Sequence, residues 1–182
     1  MKNISNFSLA LLCAALFGPL TSASATEWGF TLIGSPSAER SGDPDHETIQ
    51  MTGAGTFDPG KGTASGGGAF VVFNAFDEPD FGGPIIHGTW KATRVISWTP
   101  DGGLNNGLQG GTLKLAVTVF FRNGLVPELK GFSADCFELT IICPFVNGAF
   151  VESGDAINVN ICGLELFDTN HSGLTVFHII KP

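Results

Sequence analysis

Apolar and polar residues alternate along most of this chain, in short runs broken by Gly, Asn, Asp and Pro. The clearest run is Thr112 to Arg122. There Leu113, Leu115, Val117, Val119 and Phe121 share one face, and Thr112, Lys114, Ala116 and Thr118 share the other. A period of two with one apolar face marks a strand that buries one side. The same reading predicts strands over Glu27–Ile33, Glu47–Phe57, Thr63–Phe76 and Ile85–Trp98 before it. Strands over Phe132–Cys143, Asp155–Phe167 and Leu174–Ile180 follow it. Asp58-Pro59-Gly60-Lys61-Gly62 reads as a tight turn, and the Gly- and Asn-rich segment Thr99–Gly111 as a loop. Gly66, Gly67 and Gly68 sit inside the third strand and point to a bulge or bend, because glycine weakens a flat strand.

Helix-favouring runs are scarce, and no linker or fixed-period repeat divides the chain. The expectation is one all-β domain over residues 26–182, with about eight mainly antiparallel strands in a β-barrel or a β-sandwich. The glycine cluster and an inward-facing Arg94 together favour a barrel with a small cavity.

The sixth and seventh strands fix their own register. In an antiparallel hairpin centred near Ala149, paired residue numbers sum to 298. Phe137 then meets Ile161, Leu139 meets Val159, and Ile141 meets Ile157; Glu138 and Thr140 meet Asn160 and Asn158. A one-residue slip would mix the two faces. The register also sets Cys136 opposite Cys162, which predicts a disulfide closing a loop of 27 residues and leaves Cys143 free. On the chain-entropy view such a loop contributes about 3.5 kcal/mol. Beyond Cys162 the apolar positions change parity, which predicts a bulge at Gly163.

The fourth and fifth strands lead to a functional candidate. A register summing to 211 pairs Trp98 with Leu113, Ile96 with Leu115, Ala92 with Val119 and Trp90 with Phe121. It places Arg94 on that apolar face, opposite Val117. A guanidinium there needs a partner. Arg94 is therefore the candidate ligand-binding residue, gripping a small polar or anionic ligand; the structural alternative is an internal ion pair. Trp90 and Trp98 read as core in this register, whereas a register summing to 210 would make them an exposed platform for sugars.

Composition then narrows the setting. Lys2, the apolar run Leu9–Leu20 and Ala23-Ser24-Ala25 form a signal-peptide pattern with cleavage expected after Ala25. Removing 25 of 182 residues leaves 157, and losing Lys2 takes the net charge from −8 to −9. Such a balance disfavours nucleic acid as a partner. No second apolar stretch is long enough to span a membrane. The expected localisation is secreted or periplasmic, where disulfides persist.

Catalytic and metal motifs are missing from the sequence. It has no G-x-S-x-G elbow, no H-E-x-x-H and no C-x-x-C. His46, His87, His171 and His178 lie in separate segments, so no catalytic residue is assigned. The clusters Asp43-Asp45-His46-Glu47 and Asp77-Glu78-Asp80 are oxygen-rich but match no cation-loop spacing, so no metal and no cofactor is expected. The sequence thus points to a non-catalytic binding module for a small ligand or a protein partner. Two other classes stay open: a small secreted barrel enzyme, and a structural protein that assembles through exposed Phe side chains.

Overall fold

The computed structural model describes residues 26–42, 47–73, 86–124, 131, 133–146, 149–150, 155–163 and 165–182. Ten strands carry nearly all of them: β1 Glu27–Arg40, β2 Thr48–Asp58, β3 Thr63–Phe73, β4 Ile86–Asn105, β5 Leu108–Gly124, β6 Ser133–Cys143, β7 Phe145–Val146, β8 Ala149–Phe150, β9 Ala156–Ile161 and β10 Glu165–Lys181. Eight of them close a barrel in the order β1-β2-β3-β4-β5-β6-β9-β10, while β7 and β8 form a separate two-stranded hairpin. All the pairings are antiparallel. The barrel is therefore a meander in which each strand follows its neighbour, and pairing of β1 with β10 shuts it. The candidate signal segment 1–25 and the acidic cluster at 77–80 lie outside the described residues.

Side-chain alternation sorts the two surfaces. The inward set is apolar: Leu113, Leu115, Leu139, Ile141 and Ile157 are all fully buried. The outward set carries Lys114 paired with Glu138, and Thr118 donating to Asp135 at 2.6 Å. Such exposed pairs add little stability, and their use here is to keep the outer face wet. The same exterior also exposes the apolar side chains of Ile33, Leu104, Phe120, Leu166 and Ile180.

The hairpin of β6 and β9 has the register expected from its sequence, with Phe137 opposite Ile161 and Ile141 opposite Ile157. Cys136 and Cys162 stand at disulfide distance, with Cα atoms 4.8 Å apart, and both are exposed. Cys143 is a buried free thiol.

Three local expectations need correction. The expected loop Thr99–Gly111 is a continuation of the β4–β5 hairpin, turning at Asn106 (φ 51°) and Gly107 (φ 80°). Two successive positive φ values suit a tight hairpin turn, and Asn-Gly is the sequence that adopts it most readily. Gly163 is not a bulge: Cys162 (φ 56°) and Gly163 (φ 73°) turn the chain from β9 into β10. The parity change after Cys162 is thus the start of a new strand. The first strand runs on past Ile33 as well. It bends at Gly34 and Ser35, then resumes with Ser37 opposite Gln50.

The interior has two halves. At one end, Trp28, Phe57, Trp98 and Phe177 interlock, with Trp98 centred 4.9 Å from Phe177 and 5.1 Å from Phe57. Phe30 links this cluster to Trp90, with ring centroids 6.3 Å apart. The rings fit because the facing wall is glycine: β2 and β3 pair Gly53 with Gly68 and Gly55 with Gly66. Gly53 and Gly55 make room for the Trp90 and Phe30 rings, the small-against-large complementarity of narrow barrels, while a β-carbon on any of Gly66, Gly67 and Gly68 would meet the backbone of a neighbouring strand. The other end is built of Val, Ile, Met and Phe and is not filled.

Candidate functional site

That unfilled end holds a cavity of about 150 Å³. Its wall comes from alternate residues of seven strands. Ile49 and Met51 of β2 and Phe70 and Val72 of β3 form one side. Val117, Val119 and Phe121 of β5, with Phe137 and Leu139 of β6, form the other. Ile86, Val159, Ile161 and Phe167 complete it from β4, β9 and β10. Every one of these positions points inward because it shares the parity of the buried face. Cavities of this volume lined by Leu, Ile and Phe stay dry and take up benzene-sized guests.

Two charged residues join the lining, Arg40 at the end of β1 and Glu47 just before β2. The Arg40 guanidinium donates to Glu47 Oε2 at 2.7 Å, with side chains 35% and 27% exposed. The backbone holds them together too, since the Arg40 amide donates to the Glu47 carbonyl at 2.8 Å. An ion pair of opposite charges thus stands beside an otherwise apolar chamber. Glu47 ends the oxygen-rich loop sequence Asp43-Asp45-His46-Glu47, whereas Arg40 belongs to no sequence motif. The other members of that loop, at 43–46, lie outside the described residues.

Arg94 is not in the cavity. It is exposed on the outer face and pairs with Ala116, not with Val117. The register summing to 211 holds only near the turn, where Trp98 meets Leu113. Register shifts between Val95 and Ser97 and between Ala92 and Arg94 then each add a residue to β4, so that Trp90 meets Val119. Such bulges turn the side chains that follow. Thr93 stabilises the second one by donating its hydroxyl to the Ala116 carbonyl at 3.0 Å. Trp90 is buried, with its indole N–H donating to the Thr52 carbonyl at 3.0 Å, and Trp98 packs in the aromatic end.

The remaining reactive side chains stay apart. His87 is the second residue of β4, at the cavity end, and His178 lies near the end of β10 at the aromatic end. His46 lies outside the described residues, and only the backbone of His171 is described. Cys143 is buried near Asp155 and Thr175, and its thiol is pushed up to about 12, first by burial and then by the Asp155 charge. A thiol held protonated is a poor nucleophile. Among the described residues no group of three His, Cys, Asp or Glu could hold a metal ion.

A second, polar depression lies at the aromatic end beside Asp58, Lys61 and Glu27. Its charges are engaged: Lys61 bridges Asp58 at 2.6 Å, and Glu27 bridges Lys181 at 3.5 Å.

No family model matches the chain, and no curated protein or solved structure matches it. The cavity's own chemistry is therefore what bears on function.

Proposed function

We propose that this protein is a non-catalytic binding module that holds one small, largely apolar molecule inside its barrel. The observation that carries this reading is the cavity of about 150 Å³ with an almost wholly apolar wall. Eight-stranded barrels have interiors that are either just filled by side chains or able to hold one small ligand. Here the aromatic end supports the first state and the opposite end the second. Burial of a guest's apolar surface supplies the affinity, at about 25 cal/mol per Å² removed from water. The anionic ligand expected from an inward Arg94 is replaced by an apolar one. The N-terminal signal pattern and the exposed Cys136–Cys162 pair support a secreted or periplasmic setting, since an oxidising compartment keeps such a pair joined.

Thermal unfolding of the purified protein with toluene tests the reading. A guest at about 100 times its dissociation constant stabilises by about 2.7 kcal/mol, a readable rise in midpoint. Val119→Phe and Val159→Leu each fill part of the chamber, and each is expected to keep the barrel's circular dichroism and lose the rise. No rise in the wild type, or an equal rise in both filled variants, refutes the reading.

A further inference from the structure

The proposed cavity has a chemistry more specific than apolarity. We infer that its ligand is a single-ring aromatic molecule bearing one uncharged hydroxyl group, a simple phenol; this rests on the binding role proposed above. Two observations carry it, the rings in the wall and the ion pair beside it.

Four phenylalanines line the chamber, Phe70, Phe121, Phe137 and Phe167. Phe70 and Phe121 meet edge to face, centroids 5.8 Å apart at 90°, and Phe121 meets Phe137 at 6.3 Å and 63°. Rings set at such angles present both edges and faces to the space they enclose, which suits another aromatic ring. Met51 adds a thioether to the same wall, and sulfur also packs well against rings. The volume, about 150 Å³, suits a guest the size of one benzene ring.

Arg40 and Glu47 select the substituent. The pair supplies N–H donors and carboxylate acceptors side by side, with the backbones tied by the 2.8 Å hydrogen bond from Arg40 to Glu47. A hydroxyl group donates to the carboxylate and accepts from the guanidinium, leaving the pair intact. A carboxylate guest has to compete with Glu47 for Arg40 and meets the Glu47 charge at close range. An ammonium guest meets the Arg40 charge in the same way. Breaking a partly buried pair is costly, because one charge is left without its partner. The neutral, two-way hydrogen-bonding group is the one that fits.

Calorimetric titration with toluene, p-cresol and p-toluate at pH 7 separates the possibilities. The three share a ring and a methyl group and differ in having no polar group, a neutral hydroxyl or an anion. The expected result is p-cresol binding at least tenfold tighter than either of the others. In Glu47→Gln, and separately in Arg40→Gln, the ratio of p-cresol to toluene affinity is expected to fall below threefold. Equal binding of toluene and p-cresol by the wild type overturns the hydroxyl assignment and leaves the apolar cavity standing. Tightest binding of p-toluate overturns it in favour of an anion site. Failure of all three to bind overturns both the assignment and the binding role.

Discussion

A β-carbon placed on Gly53 would lie 2.6 Å from Cζ2 of Trp90 and 2.6 Å from the carbonyl oxygen of Gly67. The indole cannot retreat without giving up its hydrogen bond to the Thr52 carbonyl at 3.0 Å. The Gly53 φ of 153° adds backbone strain for any other residue. Overpacking a filled interior costs about 1–3 kcal/mol. Gly53→Ala is thus expected to destabilise by about 2–3 kcal/mol in urea denaturation. Exposed Ala54→Ser next to it should change stability by less than about 0.5 kcal/mol. Equal effects at the two positions would reject the steric account.

Removing the Cys136–Cys162 bond should cost about 2–4 kcal/mol, mostly through the freedom regained by the unfolded chain. The double variant Cys136→Ala, Cys162→Ala is expected to shift the denaturation midpoint down accordingly. Titration of thiols in the unfolded, unreduced wild type should find one among Cys136, Cys143 and Cys162, and peptide mapping should place it at Cys143.

Cys143 should resist alkylation in the native protein, because its thiol is both buried and held at about 12. Its folded value lies above the ordinary 9.0, so its contribution to stability is complete below pH 9 and is lost as pH rises towards 12. The slope from one such proton reaches at most about 1.4 kcal/mol per pH unit. Cys143→Ala should remove that slope from the alkaline limb of a stability profile. An unchanged limb in the variant contradicts the burial argument.

Arg94→Leu is expected to leave both stability and toluene binding as they are, with a stability change within about 0.5 kcal/mol. Its side chain is on the outer face, opposite Ala116. A lost ligand response in this variant would reinstate an inward role for Arg94.

Asp58 offers the acid-side counterpart of Cys143. The Lys61 ammonium bonds its carboxylate at 2.6 Å and the Lys61 amide at 3.0 Å, and these hold the carboxyl below its ordinary 3.8. The Asp58 contribution is present above that value and is lost as pH falls through the lowered one. Asp58→Asn should therefore flatten the acid limb of the stability profile; a limb as steep as that of the wild type would assign the acid sensitivity to other carboxylates.

The β6–β9 register was readable from sequence because its two faces are chemically unmixed. Phe137, Leu139 and Ile141 alternate with Glu138 and Thr140, and their partners do the same. Nothing in that stretch inserts or deletes a residue. The β4–β5 register was not readable, because bulges near Thr93 and Ile96 each add a residue. Thr93 and Ile96 look like ordinary members of an alternating strand, so fixed pairing arithmetic carried Arg94 to the wrong face. Asn106-Gly107 did carry a turn signal, but it was submerged in a longer glycine-rich stretch. The cavity could not be read at all from one strand at a time. It arises because Trp28, Phe57, Trp98 and Phe177 interlock at one end, while the Val, Ile, Met and Phe side chains contributed by separate strands at the other leave space between them. Arg40 lay outside every predicted strand and Glu47 at the start of one, and only closure of the barrel sets them beside that space.

The seam between β1 and β10 has a kinetic meaning. Among the described residues most other barrel pairings join strands that follow closely in sequence, the short pairing of Phe177 with Gln109 and His178 with Leu108 between β10 and β5 excepted, whereas the seam joins the two ends of the barrel, Glu27 to Lys181 and Phe30 to Phe177. Local hairpins form quickly, and a pairing this distant waits for the chain to be nearly complete. Until then the first and last strands are open edges, and an open edge accepts any matching strand. At high concentration during refolding, β10 of another copy is such a strand. The closing step that shapes the cavity is also the step at which two molecules can exchange ends, and dilution should favour the self-closed form.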